Sequence, residues 1–144
     1  MAPDITLILP AYNEARVIPT TIGEAVRYFD SRRMSYQIIV AADGNDGTRE
    51  IVRKMAESNP ALSAIGNEQR SGKGLGIRNA VALATGTIIG YADADNKVPI
   101  GEFDKFRPVL ARGVEVAIGT RRGGIGLSHR ARPAVRSDAP WPTD

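Results

Sequence analysis

The sequence contains no cysteine and only one histidine, His129. The first absence excludes disulfides, thiolate zinc sites, iron–sulfur clusters and a cysteine nucleophile. The second excludes a metal cage built from several histidines. Long apolar runs are missing as well, since none reaches the roughly 18 residues that a spanning helix needs. Asp4 stands where a signal peptide would carry basic charge, and an apolar strand pattern follows at once. The expectation is therefore no signal peptide and a cytoplasmic location, or a peripheral one at the cytoplasmic membrane face. Charge of one sign is also scarce: 19 basic and 16 acidic residues leave a net +3, too mild to argue for nucleic acid. Residues 121–144 hold Arg121, Arg122, Arg130, Arg132 and Arg136 against Asp138 and Asp144, so the whole excess lies there. That segment reads as a solvated basic end, or as a patch for an anionic lipid head group or membrane surface.

What is present is globular. The chain has 144 residues, 42% of them apolar, enough for one domain with a core. The domain is expected over residues 1–136, with 137–144 a disordered tail. Ile5–Leu9, Tyr36–Val40, Ala61–Ile65, Thr87–Ala92 and Val114–Ile118 read as strands. Between them, helical spacing predicts helices from about Asn13 to Arg32 (Pro19 fitting only if the first turn starts near it), Arg49 to Ser58, Leu75 to Ala84 and Pro99 to Arg112. Strands alternating with helices predict an α/β fold, a mostly parallel sheet with helices on both faces. Ligands of such sheets bind outside the carboxyl ends of the strands. Polar clusters stand at four of those ends: Ala11–Glu14, Asp43–Thr48, Asp93–Asn96 and Thr120–Arg122.

Asp93 and Asp95 form a compact pair of carboxylates directly after an apolar strand. They read either as a capped turn or as hard oxygen ligands for Mg²⁺ or Mn²⁺. Asp43-Gly-Asn-Asp-Gly-Thr48 is a tight turn before a helix, with Asp46 or Thr48 capping that helix. It fails the EF-hand spacing, but its glycines admit a ligand close to Asp43. Ser71-Gly-Lys-Gly74 is not a Walker A loop. It is a basic loop at a helix start with Arg78 downstream, either merely solvated or suited to a diphosphate. Thr120-Arg-Arg122 is a solvated edge or a phosphate clamp. A dehydrogenase is excluded, because Pro10-Ala-Tyr-Asn-Glu14 stands where G-x-G-x-x-G is required. A serine hydrolase lacks its G-x-S-x-G.

With these residues assembled, the chain resembles the family 2 inverting glycosyltransferases of GT-A fold, and more narrowly the dolichyl- or polyprenyl-phosphate hexosyltransferases. The matching pieces are Leu9-Pro-Ala-Tyr-Asn-Glu14, Ile38 to Thr48, Gly72-Lys-Gly74 with Arg78-Asn79, Tyr91-Ala-Asp-Ala-Asp95 and Ala117-Ile-Gly-Thr-Arg121. The resemblance implies a nucleotide-diphosphate sugar donor, UDP-glucose first and GDP-mannose next, and a polyprenyl or dolichyl phosphate acceptor. It implies a nucleoside pocket lined by Pro10, Ala11, Tyr12, Glu14 and Asp43, with Lys73 and Arg78 near the donor phosphates. It implies catalytic roles for Asp93, Asp95 and Arg121, with Mg²⁺ or Mn²⁺ held by Asp95 and Asp93, and Arg121 meeting the acceptor phosphate, joined by Arg132 or Arg136. Two features depart from the family pattern. Ala42-Asp43 stands where the family has two adjacent acids, and the chain stops where the acceptor half would continue. A nucleotide-sugar-binding portion without turnover is therefore the second expectation, and a family 2 enzyme with another acceptor the third.

Overall fold

The computed structural model describes residues 1–120. Its elements are β1 (Ile5–Tyr12), α1 (Ile18–Ser31), β2 (Tyr36–Asp43), α2 (Thr48–Ala56), β3 (Leu62–Ile65), α3 (Lys73–Leu83), β4 (Ile88–Tyr91), a 3₁₀ helix Ile100–Lys105 and α4 (Arg107–Ala111). Met1–Phe106 forms one compact unit. A second unit begins at Arg107, and its described part holds α4 and the irregular residues 112–120.

The strands of the first unit form a sheet of order β3-β2-β1-β4, and every pairing is parallel. Each strand of the β1–β2 pair is buried on both sides, which is why both read as nearly continuous apolar runs. Ile5, Leu7 and Leu9 of β1, with Ile38, Val40 and Ala42 of β2, face a core completed by Ile18, Ile22, Phe29 and Val52 of α1 and α2. The alternate residues Ile8, Ile39 and Ala41 meet Ala80 and Ile77 of α3 on the opposite face. The period-two alternation of a strand therefore distributes one sequence between two helix layers. Thr6 is the polar exception on the α3 side. Its hydroxyl donates to Gln37 Oε1 at 2.7 Å and accepts the Gly86 N–H at 2.9 Å, so no buried polar group is left unmet there.

Strand order places the site. The chain runs outward from β1 through β2 to β3, then returns past β1 to β4. The crevice outside the carboxyl ends of β1 and β4 is thus the switch point of the sheet, where such folds bind ligands.

Three expectations change. The first helix starts at Ile18, not near Asn13, and Asn13 adopts φ 54° in the connecting turn. Pro19 then occupies the first turn, where a missing N–H costs nothing. The helix expected over Pro99–Arg112 divides into the 3₁₀ turn and α4. Pro108 cannot donate to the carbonyl four residues back and clashes with it, so one continuous helix is barred. Val114–Ile118 forms no strand, and Val116 and Ile118 are exposed. An alternating pattern becomes a strand only within a hydrogen-bonded ladder, and residues 114–120 join none among the described residues. Arg121, Arg122, Arg132, Arg136 and the tail 137–144 lie outside the described residues. No helix among the described residues is long and apolar enough to cross a membrane.

Candidate functional site

At the end of β1, Pro10 is buried, Ala11 half-buried and Tyr12 exposed. The guanidinium of Arg70 lies 4.6 Å from the centre of the Tyr12 ring, within cation–π range. The backbone then turns through Asn13 so that Glu14 faces the end of β4. Burial pushes the Glu14 carboxyl above its ordinary range; Asp95 adds to this, Lys97 opposes it and Asp46 adds again. Acids after β1, β2 and β4 therefore share one field, although they are far apart in sequence.

Asp43 ends β2 and ties down the loop that follows β3. One carboxylate oxygen accepts the Asn67 N–H at 3.1 Å, and the other accepts the Ser71 N–H at 2.7 Å and the Ser71 hydroxyl at 2.9 Å. Burial alone would raise the Asp43 carboxyl, but these bonds and the nearby Arg49 charge outweigh it and hold it below the ordinary aspartate range. Arg49 is buried, and it donates to Ala42 O at 2.7 Å and to Asn67 O at 2.9 Å. Gly66 completes the join: a Cβ there would lie 2.0 Å from Ala42 O, and its φ is 130°. A concavity of about 240 Å³ opens beside Asp43, with Ile65, Asn67, Ser71 and Asn79 on its wall.

Asp46 works within the next turn. It accepts the Thr48 N–H at 3.1 Å and the Thr48 hydroxyl at 2.6 Å, so it meets an open N–H at the start of α2 from the residue before the N-cap, which is Gly47 and not Asp46 or Thr48. It also accepts the Ala15 N–H at 3.0 Å, which binds the β1–α1 turn to the β2–α2 turn. Burial pushes its carboxyl up, and these bonds together hold it below the ordinary range.

Beyond β4, the buried Ala94 anchors the Asp-x-Asp segment. Its N–H reaches Pro10 O at 3.4 Å, and its carbonyl accepts the Thr21 hydroxyl at 2.9 Å. This leaves Asp93 exposed and Asp95 half-buried on either side. Asp93 is ion-paired with Lys73, the first residue of α3. Asp95 accepts the Lys97 N–H at 3.1 Å and lies 3.1 Å from the Lys97 ammonium. Asp93 and Asp95 provide the oxygen donors that a hard divalent ion prefers, and such an ion completes its shell with water and substrate phosphate. The donor set fits Mg²⁺ or Mn²⁺ in that chemistry. Among the described residues no group of three or more metal-binding side chains stands together.

The structure thus brings together Glu14, Asp95, Asp93 and Lys73, and sets Tyr12 and Asp43 beside one loop. Arg78 is exposed on α3, and Arg121 lies outside the described residues. Sequence reading missed Arg49, Arg70 and Lys97. Arg49 carried a signal: it precedes Val52 by three residues and so shares the buried face of α2.

Residues 6–142 match the family described as glycosyl transferase family 2. Similar curated proteins include a dolichyl-phosphate beta-glucosyltransferase of Trichomonas vaginalis, 27% identical over 89% of this chain and 40% of its own length. A second from that organism is 32% identical over 69% of this chain and 32% of its length. The Drosophila melanogaster dolichyl-phosphate beta-glucosyltransferase is 28% identical over 89% of this chain and 41% of its length. The chain thus spans about two fifths or less of these relatives. Among solved structures, a mannosyltransferase from Pyrobaculum calidifontis in complex with GDP-Man and Mn²⁺ aligns with a TM-score of 0.54 and 31% identity. That alignment covers 66% of this chain and 28% of the other, and the α/β fold of this chain matches that GT-A glycosyltransferase.

Proposed function

Because the chain belongs to glycosyl transferase family 2, we propose that its site takes part in moving a hexose from a nucleotide-diphosphate sugar to a polyprenyl or dolichyl phosphate, with inversion. The observation that carries this reading is the convergence, at the switch point of the sheet, of the end of β1 with the Asp93–Asp95 corner, joined by the Ala94 N–H to Pro10 O, and of Lys73 with Asp93. UDP-glucose is the favoured donor, in line with the glucosyltransferases among the relatives; GDP-mannose is the next.

In this reading Pro10, Ala11, Tyr12, Glu14 and Asp43 surround the nucleoside. Asp43 acts partly through the loop it holds, which carries Arg70 to Tyr12. Lys73 and Arg78 offer cationic charge to the diphosphate. Asp95, with Asp93, would hold Mg²⁺ or Mn²⁺, which supplies charge neutralisation on the departing nucleotide. The acceptor needs little activation, because a phosphate monoester with a second pKa of about 6 is largely ionised at neutral pH. It needs positioning and screening, and the family resemblance assigns that task to Arg121. Attack opposite the leaving group inverts the anomeric centre. A cytoplasmic, membrane-peripheral setting accords with the lipid acceptor.

The test is hexosyl transfer from UDP-glucose or GDP-mannose to a polyprenyl phosphate, with and without Mn²⁺ or Mg²⁺. Inverted product that requires the metal is expected, with a loss of about 10²–10³-fold in Asp95→Ala. Metal-independent turnover would sink the metal role. Donor binding without product would favour a nucleotide-sugar-binding portion.

A further inference from the structure

Each member of the Asp93–Asp95 pair carries a lysine of its own, and the two lysines come from different directions. Lys73 reaches Asp93 from the start of α3, its ammonium 5.8 Å from the Tyr91 ring centre. Lys97 reaches Asp95 from two residues downstream, with its ammonium on one oxygen and its N–H on the other. The backbone between the acids is held by Ala94 at both its N–H and its carbonyl, and just after them the Asn96 side chain donates to Glu24 at 2.8 Å. The lysine side chains are not held in this way: 52% of Lys73 and 74% of Lys97 is exposed. Exposed ion pairs of this kind are weak and exchange readily. A divalent ion at the same carboxylates would repel both ammonium groups, so the lysines and the ion are alternatives.

Resting on the metal reading above, we propose that Lys73 and Lys97 are resident counter-ions of the Asp93–Asp95 corner, displaced when the divalent ion enters. Once displaced, the two lysines have different fates. Lys73 begins a helix whose first turn lies beside the corner, so its freed ammonium stays near the arriving diphosphate. Lys97 lies in the exposed turn after Asp95, and its release serves no ligand. Ion entry and donor capture are thereby coupled through Lys73, which acts as a positioning group for the phosphates.

The measurement is Mn²⁺ binding to the full chain, read by the electron paramagnetic resonance of free Mn²⁺, without nucleotide and then with UDP. Wild type, Lys73→Met, Lys97→Met and Asp95→Asn are compared, with thermal melts as the check on folding. Both lysine variants should bind Mn²⁺ alone about two- to fivefold more tightly, the span of an exposed ion pair. With Mn²⁺ present, Lys73→Met should bind UDP more weakly than wild type, and Lys97→Met should bind it at least as well. Unchanged or weaker Mn²⁺ binding in both lysine variants overturns this proposal while the metal reading stands. No Mn²⁺ binding to wild type even with UDP, or binding indifferent to Asp95→Asn, overturns the metal reading and this proposal together.

Discussion

Glu14 and Asp43 stand at the tips of adjacent strands, and their surroundings push them in opposite directions. Asp43 has its folded-state carboxyl held low, so its contribution to stability is complete above the ordinary aspartate value and is lost as pH falls below it through the lowered folded value. Glu14 has its carboxyl raised, so its contribution is present below the ordinary value of 4.5 and is lost as pH rises through the raised value. At neutral pH, ionised Glu14 is therefore a cost to the fold. Glu14→Gln should raise the melting temperature at pH 7 and lose that advantage near pH 4, while donor binding, if Glu14 meets the nucleoside, weakens. Such an exchange of stability against function is common at binding sites. Asp43→Asn should do the reverse, lowering stability at pH 7 and converging on wild type in acid; thermal melts across pH 3–8 check both. Arg49 is the residue whose loss should matter most to the loop. Arg49→Met removes the buried side-chain donor shared by the carbonyls of Ala42 and Asn67, the latter keeping only the Gly44 N–H at 2.9 Å, a loss of about 1–3 kcal/mol. Amide exchange at Asn67 and Ser71 should quicken in that variant before the sheet itself opens.

The strands and helices of the first unit owe their places to two-sided burial. Phe29 of α1 is fully buried, edge-on to Tyr28 at 5.4 Å and stacked on Tyr36 at 5.4 Å. Phe29→Ala should cost about 3–5 kcal/mol, measurable by denaturant unfolding. Two glycines mark where elements approach too closely for any side chain. At Gly86 a Cβ would lie 2.3 Å from the Thr6 nitrogen, and at Gly66 it would lie 2.0 Å from Ala42 O. Both clashes are with backbone, which cannot swing aside. Gly86→Ala should therefore loosen the joining of β4 to β1, and Gly66→Ala should displace the loop that Asp43 and Arg49 hold. In that second variant, UDP affinity should fall by more than global stability does, as parallel titration and unfolding would show. Two of the elements that sequence reading misjudged failed for different reasons, one the lack of a neighbour and the other a residue of its own. The residues Val114–Ile118 have a strand's alternation without a ladder, and Pro99–Arg112 has a helix's spacing interrupted by Pro108.

For the first unit as a whole, nucleotide and ion binding should appear as stabilisation by mass action. At free ligand of 100 times Kd the gain is about 2.7 kcal/mol, so UDP-glucose with Mn²⁺ should raise the melting temperature and Mn²⁺ chelation should reverse it. Most of the sheet was legible from the chain alone. β1 and β2 announce themselves as short apolar β-branched runs, and polar residues collect just past their ends, because a parallel sheet buried on both faces leaves only those ends open to a ligand. The residues of the candidate site were picked out for the same reason: Tyr12, Glu14, Asp43, Lys73, Asp93 and Asp95 all sit at or just past strand ends or at a helix start. Their partnerships were not. Nothing in local spacing says that Asp43 holds Ser71, that Lys73 reaches Asp93, or that Arg49 turns inward to Asn67. Those pairings cross 28, 20 and 18 residues of chain. Local pattern reports which residues a strand or helix must bury, a matter of period and apolar surface. Which charges then meet depends on strand order, and the return of the chain past β1 to β4 brings the Asp-x-Asp corner to Glu14.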